Sequence, residues 1–223
     1  MPSNDTFQYT NPKGIMANAF AFGLAVEPGA PDQLGLTIVE RNDDDEKAAF
    51  AIRRTLTQPI ESSVEAVAEE VQGRLAEDPY TARSSVIVYV DNEPGNALAD
   101  ALSERGVRPV RVHVRSEEAG APAESEGEAT IDAQDELFAL SNAHRTGVLR
   151  MEHRTTEDAD RLARTLGHLI DDSSDGSEIN ASYLGMQGMS ALLAYWWSTE
   201  QTSDPTERLR ADLPGTDATR TAL

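Results

Sequence analysis

Residues Ser85–Val90 (SVIVYV) form the segment that most constrains the fold. An extended backbone sends alternate side chains to opposite faces, and here both faces are apolar. Such a strand has no side to give to water. It needs cover above and below, which is the situation of a strand inside a parallel or mixed sheet flanked by helices. It stops at Asp91. A short helix is predicted over Asn96–Arg105, with Gly106 placed to end it, and another strand over Pro109–Arg115.

Upstream, Ala19–Val26 (AFAFGLAV) is a near-continuous apolar run closed by Glu27-Pro28-Gly29. Leu34–Glu40 and Ala48–Leu56 are two further strand-like runs, separated by the charged tip Asn42–Glu46. Short turns between the three point to an antiparallel meander. Glu61-Ser62-Ser63 then opens a helix in which Val64, Val67, Ala68, Val71 and Leu75 share one face, ended by Glu77-Asp78-Pro79. The order is therefore βββαβαβ, an α/β chain. Glu117–Glu128 has no periodicity and reads as an acidic loop over residues 116–130. Asp132–Arg145 is a helix, Val148–Glu152 a short strand, Thr155–Ile170 a helix capped by Thr155 or Thr156, and Ile179–Thr199 the last helix. Residues 1–18 and 201–223 read as polar arms around one domain over 19–200.

Acidic residues outnumber basic ones 39 to 19, giving a formal charge of −20, and only Lys13 and Lys47 are lysines. The apolar fraction of 39% falls in periodic runs, which excludes general disorder. Acids spread along the chain, few lysines and small apolar residues resemble the composition of proteins from salt-accumulating halophiles. At ~1 M salt the screening length falls to ~3 Å, so distant self-repulsion largely vanishes. Cysteine is absent, excluding disulfides and thiol chemistry. The four histidines have no paired ligand spacing. Met1–Thr10 lacks the apolar core of a secretory signal, and the apolar stretch Tyr183–Trp197 is shorter than the ~20 residues of a membrane span. The expectation is a protein without a membrane segment, in a high-salt cytoplasm or associated with a virion.

Four segments carry a family resemblance. They are Val26-Glu27-Pro28-Gly29, the turn Asp91-Asn92-Glu93-Pro94-Gly95-Asn96, Asp135–Glu152 (DELFALSNAHRTGVLRME) and Ser182–Tyr195 (SYLGMQGMSALLAY). In order and spacing they resemble the nuclease domain of viral terminase large subunits, over roughly Ala19–Trp197. The resemblance implies a ribonuclease H-like mixed sheet flanked by helices, with extra C-terminal helices. It also implies a Mg²⁺- or Mn²⁺-dependent DNA phosphodiesterase in which Glu27 and Asp91 face each other at the ends of neighbouring strands. Two ions ~3.5–4 Å apart would clamp the attacking and leaving oxygens of a phosphodiester, held by carboxylates. The sequence departs from that pattern at two places. Glu27 is one methylene longer than the family's Asp, and Ala181, Ser182, Tyr183 and Met186 stand where the last helix should bring a third acid. Asp172, Asp175 and Glu178, just upstream, substitute as metal ligands only if their loop folds back.

Two functions follow as expectations. One is the metal-dependent nuclease of a halophilic virus or provirus-like element, acting on double-stranded DNA. The other is a catalytically inactive module on the same fold, binding DNA or viral packaging and structural proteins. No phosphate-binding G-x-x-x-x-G-K-[ST] loop occurs, so an ATPase is not expected in this chain, and no G-x-G-x-x-G follows the first strand. Several residues keep plainer readings: Asp91 as a turn acid capping the next helix, Glu27 as a turn carboxylate, and Asp32 as a solvated acid. Arg111, His113 and Arg115 alternate with Val110, Val112 and Val114, giving either a phosphate-contacting stripe or the charges of a strand at the sheet edge. Arg53-Arg54 carries the same two readings. Trp196-Trp197 is either a core plug or a contact through which copies associate.

Overall fold

The computed structural model describes residues 20–27, 33–42, 49–60, 63–81, 85–115, 128–152, 156–173 and 185–200. The elements in chain order are β1 (Phe20–Glu27), β2 (Gln33–Asn42), β3 (Ala49–Pro59), α1 (Val64–Leu75), β4 (Ser85–Val90) and α2 (Glu93–Glu104). They continue with β5 (Val110–Arg115), β6 (Glu128–Asp132), α3 (Ala133–Thr146), β7 (Leu149–Met151), α4 (Glu157–Ser173) and α5 (Gly185–Glu200). The seven strands form one sheet in the order β6-β5-β4-β1-β2-β3-β7. β2 is antiparallel to β1 and β3, whereas β4 is parallel to β1, β5 to β4, β6 to β5 and β7 to β3. The meander thus lies on one side of β1 and the parallel crossover strands on the other, the ribonuclease H-like arrangement expected from the sequence. Residues 43–46 of the charged tip and both polar arms lie outside the described residues.

Two expectations change. The strand over Pro109–Arg115 is not at the sheet edge, because β6 pairs along its outer side from Arg111↔Glu128 to Arg115↔Asp132. β6 is short and starts within the acidic stretch that reads as loop; its sequence EATID has no apolar run to announce it. α2 begins at Glu93, earlier than expected, because Asn92 rather than a later residue supplies the cap.

The central strand β4 divides its side chains as its sequence requires. Ile87 and Tyr89 join Phe20, Phe22, Leu24 and Val26 of β1 beneath α1 and α2. Val86, Val88 and Val90 face the other layer, where α3, α4 and α5 cover Ala21, Val39 and Val112. Ser63 caps α1, and Thr156 Oγ1 accepts from Ala159 N at the start of α4.

α5 approaches the sheet to backbone contact. A Cβ built on Gly23 of β1 would stand 1.9 Å from the Ser190 carbonyl oxygen, and one on Gly35 of β2 would stand 2.2 Å from that of Met186. The residues that permit this approach are the two strand glycines. Side chains fix the register of the contact: Thr37 Oγ1 lies 2.8 Å from Ser190 Oγ and 3.0 Å from Thr55 Oγ1, and Gln187 Nε2 donates to Thr55 Oγ1 at 3.3 Å. Satisfied in this way, these buried polar groups avoid the cost of leaving water unpaired.

A register shift at Ile38/Val39 leaves Arg53 as the extra residue of a β-bulge, since Ile52 pairs with Val39 and Arg54 with Ile38. Arg53 is ion-paired to the buried Glu40 and to Glu152, so it serves as a clamp joining β2, β3 and the end of β7 rather than as a phosphate contact. Arg54 is exposed. Trp196 is buried, 8% exposed, and packs edge-on against the half-buried Trp197. Both rings pack on the core under α5, as the core-plug reading has it. Among the described residues no helix is long and apolar enough to cross a membrane.

Gly23→Ala should overpack the α5 contact and cost about 3 kcal/mol or more, lowering Tm by roughly 6–12 °C in circular-dichroism melts. Gly73→Ala in α1, where nothing lies within 4 Å, should instead gain about 0.5–1 kcal/mol. Equal effects from the two would show that the backbone contact does not exist. A second expectation concerns pH. Burial raises the Glu136 carboxyl above its usual 4.5, and Asp135 and Asp132 add to this. The folded chain then holds that proton more tightly than the unfolded one. The stability tied to it is present below pH 4.5 and declines as pH rises through the folded-state value. Glu136→Gln should therefore raise Tm at pH 7 but not below pH 4.5; an unchanged Tm at pH 7 would disprove this.

Candidate functional site

The parallel pairing of β1 and β4 matches Leu24 with Tyr89, so two residues further on Val26 stands beside Asp91. Asn92 Nδ2 donates to the Val26 carbonyl at 2.8 Å, closing the two strand ends together. To this extent the expected site is assembled: Glu27 and Asp91 lie at the C-terminal ends of neighbouring strands.

Their side chains, however, leave the sheet on opposite faces. Val26 belongs to the core beneath α1 and α2, so the pleat turns Glu27 the other way. Its β2 partner Gln33 has the parity of Gly35, the residue against α5. Glu27 accordingly lines a cleft of about 330 Å³ with Gln33, Thr57, Arg161, Thr165 and Gln187, at the start of α5. Arg161 is itself paired with Glu157 at 3.1 Å.

Asp91 lies on the α2 face. Its Oδ1 accepts from Asn96 Nδ2 at 2.9 Å, and its Oδ2 lies 2.7 Å from His113 Nδ1. His113 alternates with Val112 and Val114, which face the other layer. Arg111 shares the face of His113: its Nε donates to Tyr89 Oη at 3.0 Å and lies 3.9 Å from Asp91 Oδ1. Arg111 and His113 are thus engaged with Tyr89 and Asp91, a use that neither sequence reading of the stripe included.

The helix that follows is capped by Asn92, whose Oδ1 accepts from Gly95 N at 2.8 Å. Asp91 is therefore not the cap. Gly95 is required where it stands, because a Cβ there would lie 2.4 Å from the Val90 carbonyl oxygen. Sequence reading missed the Asn92 cap, although its place just before Glu93-Pro94 was a signal, since Pro is favoured in a first helical turn. The pairing of Asp91 with His113 had no such signal, because it links two strands across 22 residues of sequence.

Of the remaining expected ligands, Asp172 lies near the end of α4, and Asp175 and Glu178 fall outside the described residues, as do Asp32, Ala181, Ser182 and Tyr183. Met186 presents its backbone to Gly35. A pair of Mg²⁺ or Mn²⁺ ions needs several carboxylate oxygens converging on one point. The described residues do not fit that requirement. Glu27 points away from Asp91, both Asp91 oxygens already have partners, and no group of three or more His, Asp or Glu side chains among the described residues is placed to hold an ion.

By its strand order and directions the chain has a ribonuclease H-like fold. Neither a protein-family model nor a curated protein matches its sequence. Among solved structures it is similar to the human cytomegalovirus terminase nuclease domain, Mn soaked and inhibitor bound, at 14% identity over 92% of this chain and 94% of that one, with a TM-score of 0.46. It is also similar to the nuclease domain of g2p, the large terminase of bacteriophage SPP1, with bound Mn (14% identity, 69% and 72% covered, TM-score 0.36). A third similar structure is Thermus thermophilus RuvC (11% identity, 82% and 97% covered, TM-score 0.36).

Asn92→Ala removes both the α2 cap and the bond to the Val26 carbonyl. It should reduce stability by about 1–3 kcal/mol in urea titration, and a loss under about 0.5 kcal/mol would count against the joint described here.

Proposed function

We propose that this chain is a ribonuclease H-like module that acts by binding rather than by two-metal cleavage. Its partner would be double-stranded DNA or the packaging and structural proteins of a viral or mobile-element assembly, in a high-salt cytoplasm or virion. The single observation that carries this reading is the divergence of Glu27 and Asp91 onto opposite faces of the sheet. A phosphodiester cannot be clamped between ions that have no common set of carboxylates.

A second reading is the metal-dependent endonuclease, favoured by the adjacency of the β1 and β4 ends at the Asn92–Val26 bond. In that case the third acid would come from Asp172, Asp175 or Glu178, with Mg²⁺ or Mn²⁺ as cofactor. The two readings separate in one assay. Supercoiled plasmid is incubated with the full chain and Mg²⁺ or Mn²⁺ at molar KCl, beside Asp91→Ala. No nicking by either protein is expected, with plasmid retardation by the wild type if DNA is the partner. Metal-dependent nicking that Asp91→Ala abolishes would overturn the binding reading.

A further inference from the structure

We infer that Asp91 is a structural tie: its carboxylate continues the coupling of β4 to β5 beyond the point where the backbone can. This rests on the non-cleaving reading above and says what the acid does in place of holding an ion. β4 ends at Val90, while β5 runs on to Arg115 and is paired there only by β6 on its outer side. The last main-chain rung between them is Asp91 N to the Val112 carbonyl, 2.8 Å. One residue further along β5, the Asp91 side chain takes over. Oδ2 meets His113 at 2.7 Å, and Oδ1 takes the Asn96 amide from the first turn of α2 at 2.9 Å. One carboxylate thus joins a strand end, the overhanging neighbour strand and the helix that follows. Arg111, held against Tyr89, completes the charge balance on the same face.

A carboxylate kept for metal binding and one kept as a tie respond oppositely to removal. Acids crowded at an ion site repel one another without the ion, so deleting one leaves the ion-free fold unharmed or more stable. A tie lost leaves its partners unsatisfied. The test is a thermal-melting cycle on the full chain at high KCl, with Asp91→Ala, His113→Ala and the double variant, each with and without millimolar Mn²⁺. Each single variant should lower Tm by about 3–10 °C. The double variant should lose clearly less than the sum, and Mn²⁺ should not raise the wild-type Tm. If Asp91→Ala does not fold, Asp91→Asn keeps one acceptor and should melt between it and wild type. Unchanged or raised Tm in Asp91→Ala, additive losses, or a Mn²⁺-dependent rise abolished by Asp91→Asn would each overturn the inference. Failures remain distinguishable. Metal-dependent nicking that survives Asp91→Asn ends the binding reading and leaves the tie standing, whereas additive melts without nicking do the reverse.

Discussion

The contact on which the rest depends is the approach of α5 to β1 and β2. Helices usually meet sheets through interdigitated side chains. Here Gly23 and Gly35 remove the side chains from two strand positions, and the carbonyls of Ser190 and Met186 occupy the space. A helix brought this near exposes its polar groups to the strands. The hydroxyls of Thr37, Thr55 and Ser190 and the amide of Gln187 bond to one another across the contact, a group of bonds that holds only when the helix sits in one register. α4 is held by the same device, since Gln187 Nε2 also donates to the Asp158 carbonyl and Asp158 Oδ2 accepts from Thr57 N. The layer over this face is therefore positioned by hydrogen bonds in addition to apolar contact.

That layer sets the limits of the cleft beside Glu27. Its floor is strand backbone with Gln33 and Thr57, and its wall is the first turn of α5 with Arg161 and Thr165 of α4. The opposite face is organised around β4, with Asp91, Asn92 and Asn96 forming a hydrogen-bonded corner at the start of α2. The two faces use the same pair of strand ends for separate purposes.

Much of this architecture was legible because local chemistry and packing agree. SVIVYV demanded cover on both faces and received it; the apolar spacing of Val67, Ala68 and Val71 marked the buried side of α1; Thr156 and Ser63 opened their helices as caps. β6 was not legible, because five residues with two acids give no period to read, and a strand beside an existing edge is recruited by its neighbour's free backbone groups. The Arg53 bulge was equally silent, since an extra residue is visible only when both strands are paired. At the candidate site, sequence located the two strand ends but not the direction of their side chains. Which face a residue takes is set by counting from the turn, and Pro28-Gly29 gave no independent count.

The pleat has one more consequence. The β1 residue that shares a face with Asp91 is Val26, whose side chain is 2% exposed within the core under α1 and α2. An acid able to meet Asp91 on that face would have to be planted among Phe22, Leu24 and Leu98, where an ionised carboxylate is driven to take up a proton instead. A convergent pair made by substitution at Val26 would therefore act against folding, whereas inserting or deleting one residue in the first strand would turn Glu27 to the face of Asp91.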